Sequence, residues 1–262
     1  MNFNVIVRLG VDMFKVTYPN GSAFKKLLQG ALKPLSEVPI QVSDEYFIIR
    51  ALSPDKNILV EISIPRSAFE SYEASGEVSI VASRDQMLKA VRRALRKDTV
   101  TLSYEEGSRY LKLILTNMRT GAERAYDIEI SEAGTEPVQS LQLELPVRFQ
   151  IASDDLKKLV RDAKLVGEEL ELIYKEGSIE VISRSENKMF KQVMNLDKPL
   201  YSLESKESMV SSRYDVDLLK SIATSFDAAE IATVEFGSGL PMKITLASDD
   251  GSKLIFWIAP RA

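Results

Sequence analysis

The sequence predicts an α+β protein of two tandem similar domains, each with antiparallel sheets and two helices. Three observations carry that prediction. Short alternating apolar runs, separated by turns such as Ser-Asp-Glu, Ser53-Pro54-Asp55-Lys56, Glu-Glu-Gly and Arg-Thr-Gly, read as antiparallel strands with tight connections. Amphipathic segments with the three-and-four spacing of a helix interrupt those runs in each half. The order then restarts: Phe24-Lys25-Lys26-Leu27-Leu28 returns as Leu156-Lys157-Lys158-Leu159-Val160, and Met87-Leu88-Lys89 as Leu218-Leu219-Lys220, at offsets of 132 and 131 residues. A chain of 262 residues exceeds a typical single domain and can bury two ordinary cores.

Residues 1–12 read as an N-terminal extension. Domain 1, residues 13–130, opens with a strand from Met13 that stops at Pro19-Asn20-Gly21. Ser22 is placed to cap a helix that buries Phe24, Leu27, Leu28, Ala31 and Leu32 and turns Lys25, Lys26, Gln29 and Lys33 outward. Strands follow near 40–42, 46–52 and 58–64, then a short segment near 69–72 and a strand at 78–81. Residues 83–97 read as a helix with two opposed faces. Met87, Leu88, Val91, Ala94 and Leu95 make the core stripe; Lys89, Arg92, Arg93 and Arg96 make the other face, with Ser83 or Asp85 as cap. Strands at 99–104, 110–115 and 124–130 close the domain, with Tyr110 expected in the core. Residues 131–142 lack periodicity and read as an interdomain connector. Domain 2, residues 143–262, repeats the order: a strand at 143–151, a helix from Ser153, strands at 170–174, 179–183 and 189–194, and a helix around Leu218. A final hairpin turns at Asp249-Asp250-Gly251, which lacks the ligand spacing of a calcium loop.

Composition narrows the chemistry. Neither cysteine nor histidine occurs, which excludes disulfides, Ser-His-Asp and Cys-His catalysis and nearly all structural zinc sites. Carboxylate, lysine, tyrosine or magnesium chemistry would remain, yet no acidic cluster at strand ends is spaced to hold two metals. We therefore expect no catalytic residue, no metal and no cofactor. The N-terminal apolar run is too short for a signal peptide or membrane span, so a soluble cytoplasmic protein is expected.

The net charge is −4, from 38 acidic and 34 basic residues, so any polyanion surface must be a local concentration of cations. The duplicated helices supply one: Lys25, Lys26, Lys33, Lys89, Arg92, Arg93 and Arg96 in the first half, and Lys157, Lys158, Arg161, Lys164 and Lys220 in the second, there partly offset by Asp154, Asp155 and Asp162. Such a surface suits a phosphate backbone. No base-reading turn, aromatic interleaving or zinc module accompanies it, so contact is expected to be non-specific. Two other readings use the same cations: a carboxylate- or magnesium-dependent hydrolase acting on a polyanion, and an open-chain DNA-binding scaffold.

Three stretches carry a resemblance: the closing Leu254-Ile-Phe-Trp-Ile-Ala-Pro-Arg, the preceding Gly239-Leu-Pro-Met-Lys-Ile, and Ser53-Pro-Asp-Lys-Asn-Ile-Leu-Val-Glu-Ile. Through them the chain, from Met13 to Ala262, resembles archaeal and eukaryotic DNA polymerase sliding clamps, the proliferating cell nuclear antigen family. The resemblance implies a DNA clamp fold assembling into a pseudo-sixfold trimeric ring, a non-enzymatic processivity factor. Its helices would line a hole for duplex DNA, and the ring would be a homotrimer or a heterotrimer with paralogous subunits. Subunit edges would be strands near 123–130 and 188–195, with Tyr126, Ile128, Met189, Phe190 and Val193 at the join. DNA polymerase, flap endonuclease, DNA ligase and an ATP-driven clamp loader would dock short aromatic-anchored peptides near the connector. The matching positions are Leu52, Lys56, Asn57, Leu59, Val138, Leu141, Pro241, Trp257, Ile258, Ala259 and Pro260. Phe256-Trp257 stands where the family commonly has paired tyrosines or Tyr-Leu, putting a bulkier ring at that site. The resemblance also implies work at the nucleoid.

Overall fold

The computed structural model describes residues 12–131 and 138–261; of the expected N-terminal extension, residues 1–11 lie outside the described residues and Asp12 belongs to the first strand, and the connector's Glu136-Pro137 also lie outside them. The first half runs β1 (Asp12–Tyr18), α1 (Gly21–Gln29), β2 (Glu37–Val42), β3 (Tyr46–Leu52), β4 (Ile58–Pro65), β5 (Ser71–Ala74), β6 (Val78–Ser83), α2 (Arg84–Val91), β7 (Asp98–Glu105), β8 (Tyr110–Asn117) and β9 (Glu123–Glu129). The second runs β10 (Val147–Ala152), α3 (Ser153–Lys164), β11 (Glu169–Lys175), β12 (Ser178–Arg184), β13 (Met189–Leu196), β14 (Pro199–Leu200), β15 (Ser202–Ser205), β16 (Met209–Asp215), α4 (Val216–Ile222), β17 (Ile231–Phe236), β18 (Met242–Ala247) and β19 (Lys253–Ile258). A 3-10 helix, Ala223–Ala228, continues α4.

Strand order shows the duplication in space. One five-stranded sheet has the order β5-β1-β7-β8-β9, and its counterpart β15-β10-β17-β18-β19 forms part of a nine-stranded sheet. The remainder of that sheet, β4-β3-β2-β6, has its own counterpart in β13-β12-β11-β16. The nine strands are continuous because β19 pairs antiparallel with β4, setting Phe256 opposite Val60 and Trp257 opposite Leu59. Residues on one face of that junction, including Val60, Ile62, Leu254, Phe256 and Ile258, enter a core that runs without interruption through both halves beneath the helices. Those on the other face build a small separate cluster of Leu59, Leu145 and Trp257. Side-chain alternation along a strand makes that division.

Several local expectations are corrected. Asn20, not Ser22, caps α1: its side chain accepts the Ala23 amide at 3.0 Å. The helix expected over 83–97 ends at Val91. Arg93 and Ala94 donate to carbonyls only three residues back, and the Asp98 carboxylate accepts the Leu95 amide at 2.8 Å, drawing the chain into a turn. Leu95, expected in the core, is therefore 55% exposed, while Arg92, Arg93 and Arg96 sit on a basic turn beyond the helix. Tyr110, also expected in the core, is 47% exposed because it opens β8 on the outward-facing parity of that strand. Finally, β10 begins at Val147; residues 143–145 form no strand.

Candidate functional site

The four helices make one layer. α1 packs beside α2, α3 beside α4, and the 3-10 helix touches both α1 and α3, bridging the two halves. Close approach at that bridge depends on Gly30, where an added Cβ would lie 2.6 Å from the Ser225 backbone nitrogen.

Cations from both halves meet on this layer, in two states. Lys26, Lys89, Arg92, Arg93, Arg96, Lys158, Arg161 and Lys220 are exposed. Lys25, Lys33, Lys157 and Lys164 are half-buried and tied down. Lys25 donates to the Arg92 carbonyl at 3.2 Å and Lys33 to the Thr224 hydroxyl at 2.9 Å, and burial followed by the Arg92 charge holds Lys33 below the usual ammonium range. Lys157 pairs with Asp227 at 2.8 Å, and Lys164 with Asp217 at 2.6 Å, a bond that raises the Lys164 pKa. The acids that pair with these two lysines are Asp227 and Asp217, in addition to the charge that Asp154, Asp155 and Asp162 place on α3 itself. Beside α1 a cleft of about 600 Å³ is lined by Lys26 and Arg96 together with Asp227 and Asp250.

Among the described residues β9 and β13 are open along most of one side, as are the sheet-terminal β5, β6, β15 and β16. β9 closes one end of its sheet, and β13 has only the two-residue parallel contact of Asn195 and Leu196 with β14 on its outer side. Met189 and Val193 are exposed there, Phe190 and Tyr126 half-buried. Ile128 differs from the expectation: it is fully buried in its own chain, so it supports the edge from beneath.

Asp98 and Arg124, which sequence reasoning missed, join that edge to the basic turn. Arg124 on β9 pairs with the fully buried Asp98 carboxylate and donates to the Arg93 carbonyl at 3.2 Å. An acid opening a strand gave no sign of this in the sequence.

The residues expected near the connector fall into two groups. Leu52, Lys56, Asn57 and Leu141 are exposed, and Val138, Pro241, Ala259 and Pro260 are half-buried. Leu59 and Trp257 are buried, and Ile258 belongs to the main core on the opposite face of the sheet, which corrects its expected role at the site. The tail is pinned: Ala259 donates to the Asn57 carbonyl at 2.9 Å, and Arg261 pairs with Glu169 at 3.0 Å and Asp215 at 3.2 Å. Beneath the connector, Glu61 accepts from Arg50 and Trp257, two further contacts that sequence reasoning missed. An acid inside the apolar run Ile-Leu-Val-Glu-Ile was the available signal.

Among the described residues no helix is long and apolar enough to cross a membrane, and no group of three or more acidic, histidine or cysteine side chains is arranged to hold a metal ion.

Comparison with known proteins gives a consistent result. Residues 13–136 match the family model for the proliferating cell nuclear antigen N-terminal domain. DNA polymerase sliding clamp 2 of Sulfurisphaera tokodaii is 31% identical over 249 residues, spanning 95% of this chain and all of that protein. The DNA polymerase sliding clamp of Pyrococcus abyssi is 26% identical, spanning 95% of this chain and 98% of its own length. Among solved structures, PCNA from Thermococcus kodakaraensis superposes with a TM-score of 0.87 at 24% identity, covering 95% of this chain and all of that one, a likeness of fold. The chain therefore belongs to the DNA polymerase sliding clamp family, that of proliferating cell nuclear antigen.

Proposed function

We propose that this chain works as a DNA sliding clamp: three copies join head to tail into a ring around duplex DNA, without catalysis, and tether replication and repair enzymes to it. One observation carries the reading. The free edges β9 and β13 are the counterparts, in the duplicated strand order, of β19 and β4, which already pair inside the chain. Tyr126 holds on β9 the place that Phe256 holds on β19, and Phe190 on β13 that of Val60 on β4. Repeating the internal register at the edges sets Tyr126 opposite the next copy's Phe190, Ala125 opposite Lys191 and Asp127 opposite Met189. Main-chain hydrogen bonding then extends the sheet from copy to copy, and a head-to-tail contact closes a ring if its rotation divides the circle. Three copies of two repeats give the pseudo-sixfold plan of the family.

In that ring the helix layer faces the hole. Its exposed cations make the potential of the hole positive and so favour phosphate, while Lys157 and Lys164, already paired with acids, add little, which suits a protein that must slide. The connector face would receive the peptides of polymerase, flap endonuclease, ligase and clamp loader. The test is light scattering across a dilution series. The expected mass is three times 29.3 kDa, and Phe190→Asp should give a folded single chain. A wild-type protein of one-chain mass throughout sinks self-closure; if it then closes on mixing with a second clamp chain, the ring is heteromeric.

A further inference from the structure

We propose that Glu61 is a positioning residue of the partner-peptide site, one buried carboxylate that fixes both the floor of that site and the connector above it. The inference rests on reading the connector face as the peptide site. Glu61 is 6% exposed, and both of its oxygens are engaged. Oε1 accepts from Trp257 Nε1 at 3.1 Å, and Oε2 accepts from Arg50 Nε at 2.7 Å. Arg50 Nη1 in turn donates to the Val138 carbonyl at 3.4 Å. The planar guanidinium makes both contacts from a single side chain.

Trp257 is 4% exposed. It clusters with Leu59 and Leu145, Val138 and Leu240 pack against that cluster, and the Lys243 ammonium lies 5.2 Å from the ring centre. An apolar peptide anchor needs indole surface that the cluster now covers. Val138 is held there by its own backbone through Arg50, and Arg50 is held by Glu61. The tie therefore favours the covered arrangement, and a docking peptide binds more weakly by the fraction of molecules in which Val138 has left.

The chain contains a single tryptophan, so its fluorescence reports on this site alone. Arg50→Met removes the tie to Val138 while leaving the indole its acceptor, and Arg50→Lys keeps the charge beside Glu61 but cannot span both contacts. Both variants should show red-shifted Trp257 emission with unchanged circular dichroism. Both should bind a fluorescein-labelled ten-residue peptide carrying two adjacent phenylalanines about three- to tenfold more tightly than wild type, the scale of one lost hydrogen bond. Glu61→Gln retains one acceptor for the indole and should resemble Arg50→Met; Glu61→Ala, losing both contacts, should shift emission further. Unchanged emission and affinity in the arginine variants would overturn the proposal. So would a peptide that binds none of the proteins, but emission that still shifts would then locate the failure in the peptide-site reading rather than in the tie.

Discussion

Asp98 illustrates how one side chain can carry several structural tasks. It stops the helix run by taking the Leu95 amide, and it anchors Arg124 on the β9 edge. Replacing Arg124 with Met leaves a buried carboxylate without its cation, for an expected loss of about 3 kcal/mol in urea denaturation. Adding Asp98→Asn should recover part of it, since the stranded charge is then gone. Three tyrosines define the alkaline limit. Burial pushes Tyr214 and Tyr72 up to about 12, and burial with the Asp250 hydrogen bond takes Tyr18 higher still. Each phenol keeps its proton longer folded than unfolded, so its contribution is complete below the unfolded value near 10 and is lost as pH rises toward the folded one. Stability measured by urea should stay level to about pH 9 and fall between about pH 10 and 12. Tyr214→Phe should flatten that fall and cost about 1 kcal/mol at neutral pH, because the hydroxyl donates to the Leu240 carbonyl at 2.9 Å.

At the scale of elements, the contact between α1 and the 3-10 helix joins the two halves of the helix layer. Gly30→Ala would set a Cβ against the Ser225 and Thr224 hydroxyls, which can rotate, and 2.6 Å from the Ser225 backbone nitrogen, which cannot. The expected cost is about 2 kcal/mol in thermal or urea unfolding, whereas Gly107→Ala, at a positive φ with open space around it, should show only conformational strain. The basic turn after α2 is a second element with its own test. Changing Arg92, Arg93 and Arg96 together to Gln should weaken DNA binding at low salt and reduce the salt slope by about 1 to 3, according to how many touch phosphate. The same change at Lys157 and Lys164 should do less, because Asp227 and Asp217 already neutralise them.

For the whole molecule, function depends on topology rather than on tight contacts. A loaded ring should remain on closed circular DNA through a salt wash and leave after a single linearising cut. A scaffold that grips a groove would be released by salt from both forms alike. That comparison separates encirclement from ordinary binding, and the Phe190→Asp chain, expected not to close, should be lost from both DNA forms.

The sequence by itself determined the duplication, most of the element types and the sign of the helix surface. Spacing of apolar residues and turn chemistry are local, so Phe24, Leu27 and Leu28 could be assigned to a core face before any partner was known. What only the tertiary structure decided depended on groups distant in the chain. Asp98 ended α2 against the apolar periodicity, Asp227 and Asp217 claimed lysines from another helix, and β19 met β4 to turn Ile258 inward and bury Trp257 over Glu61. Periodicity says which residues share a face. Which charge reaches which carboxylate, and which face is covered, is settled only when the strands pair.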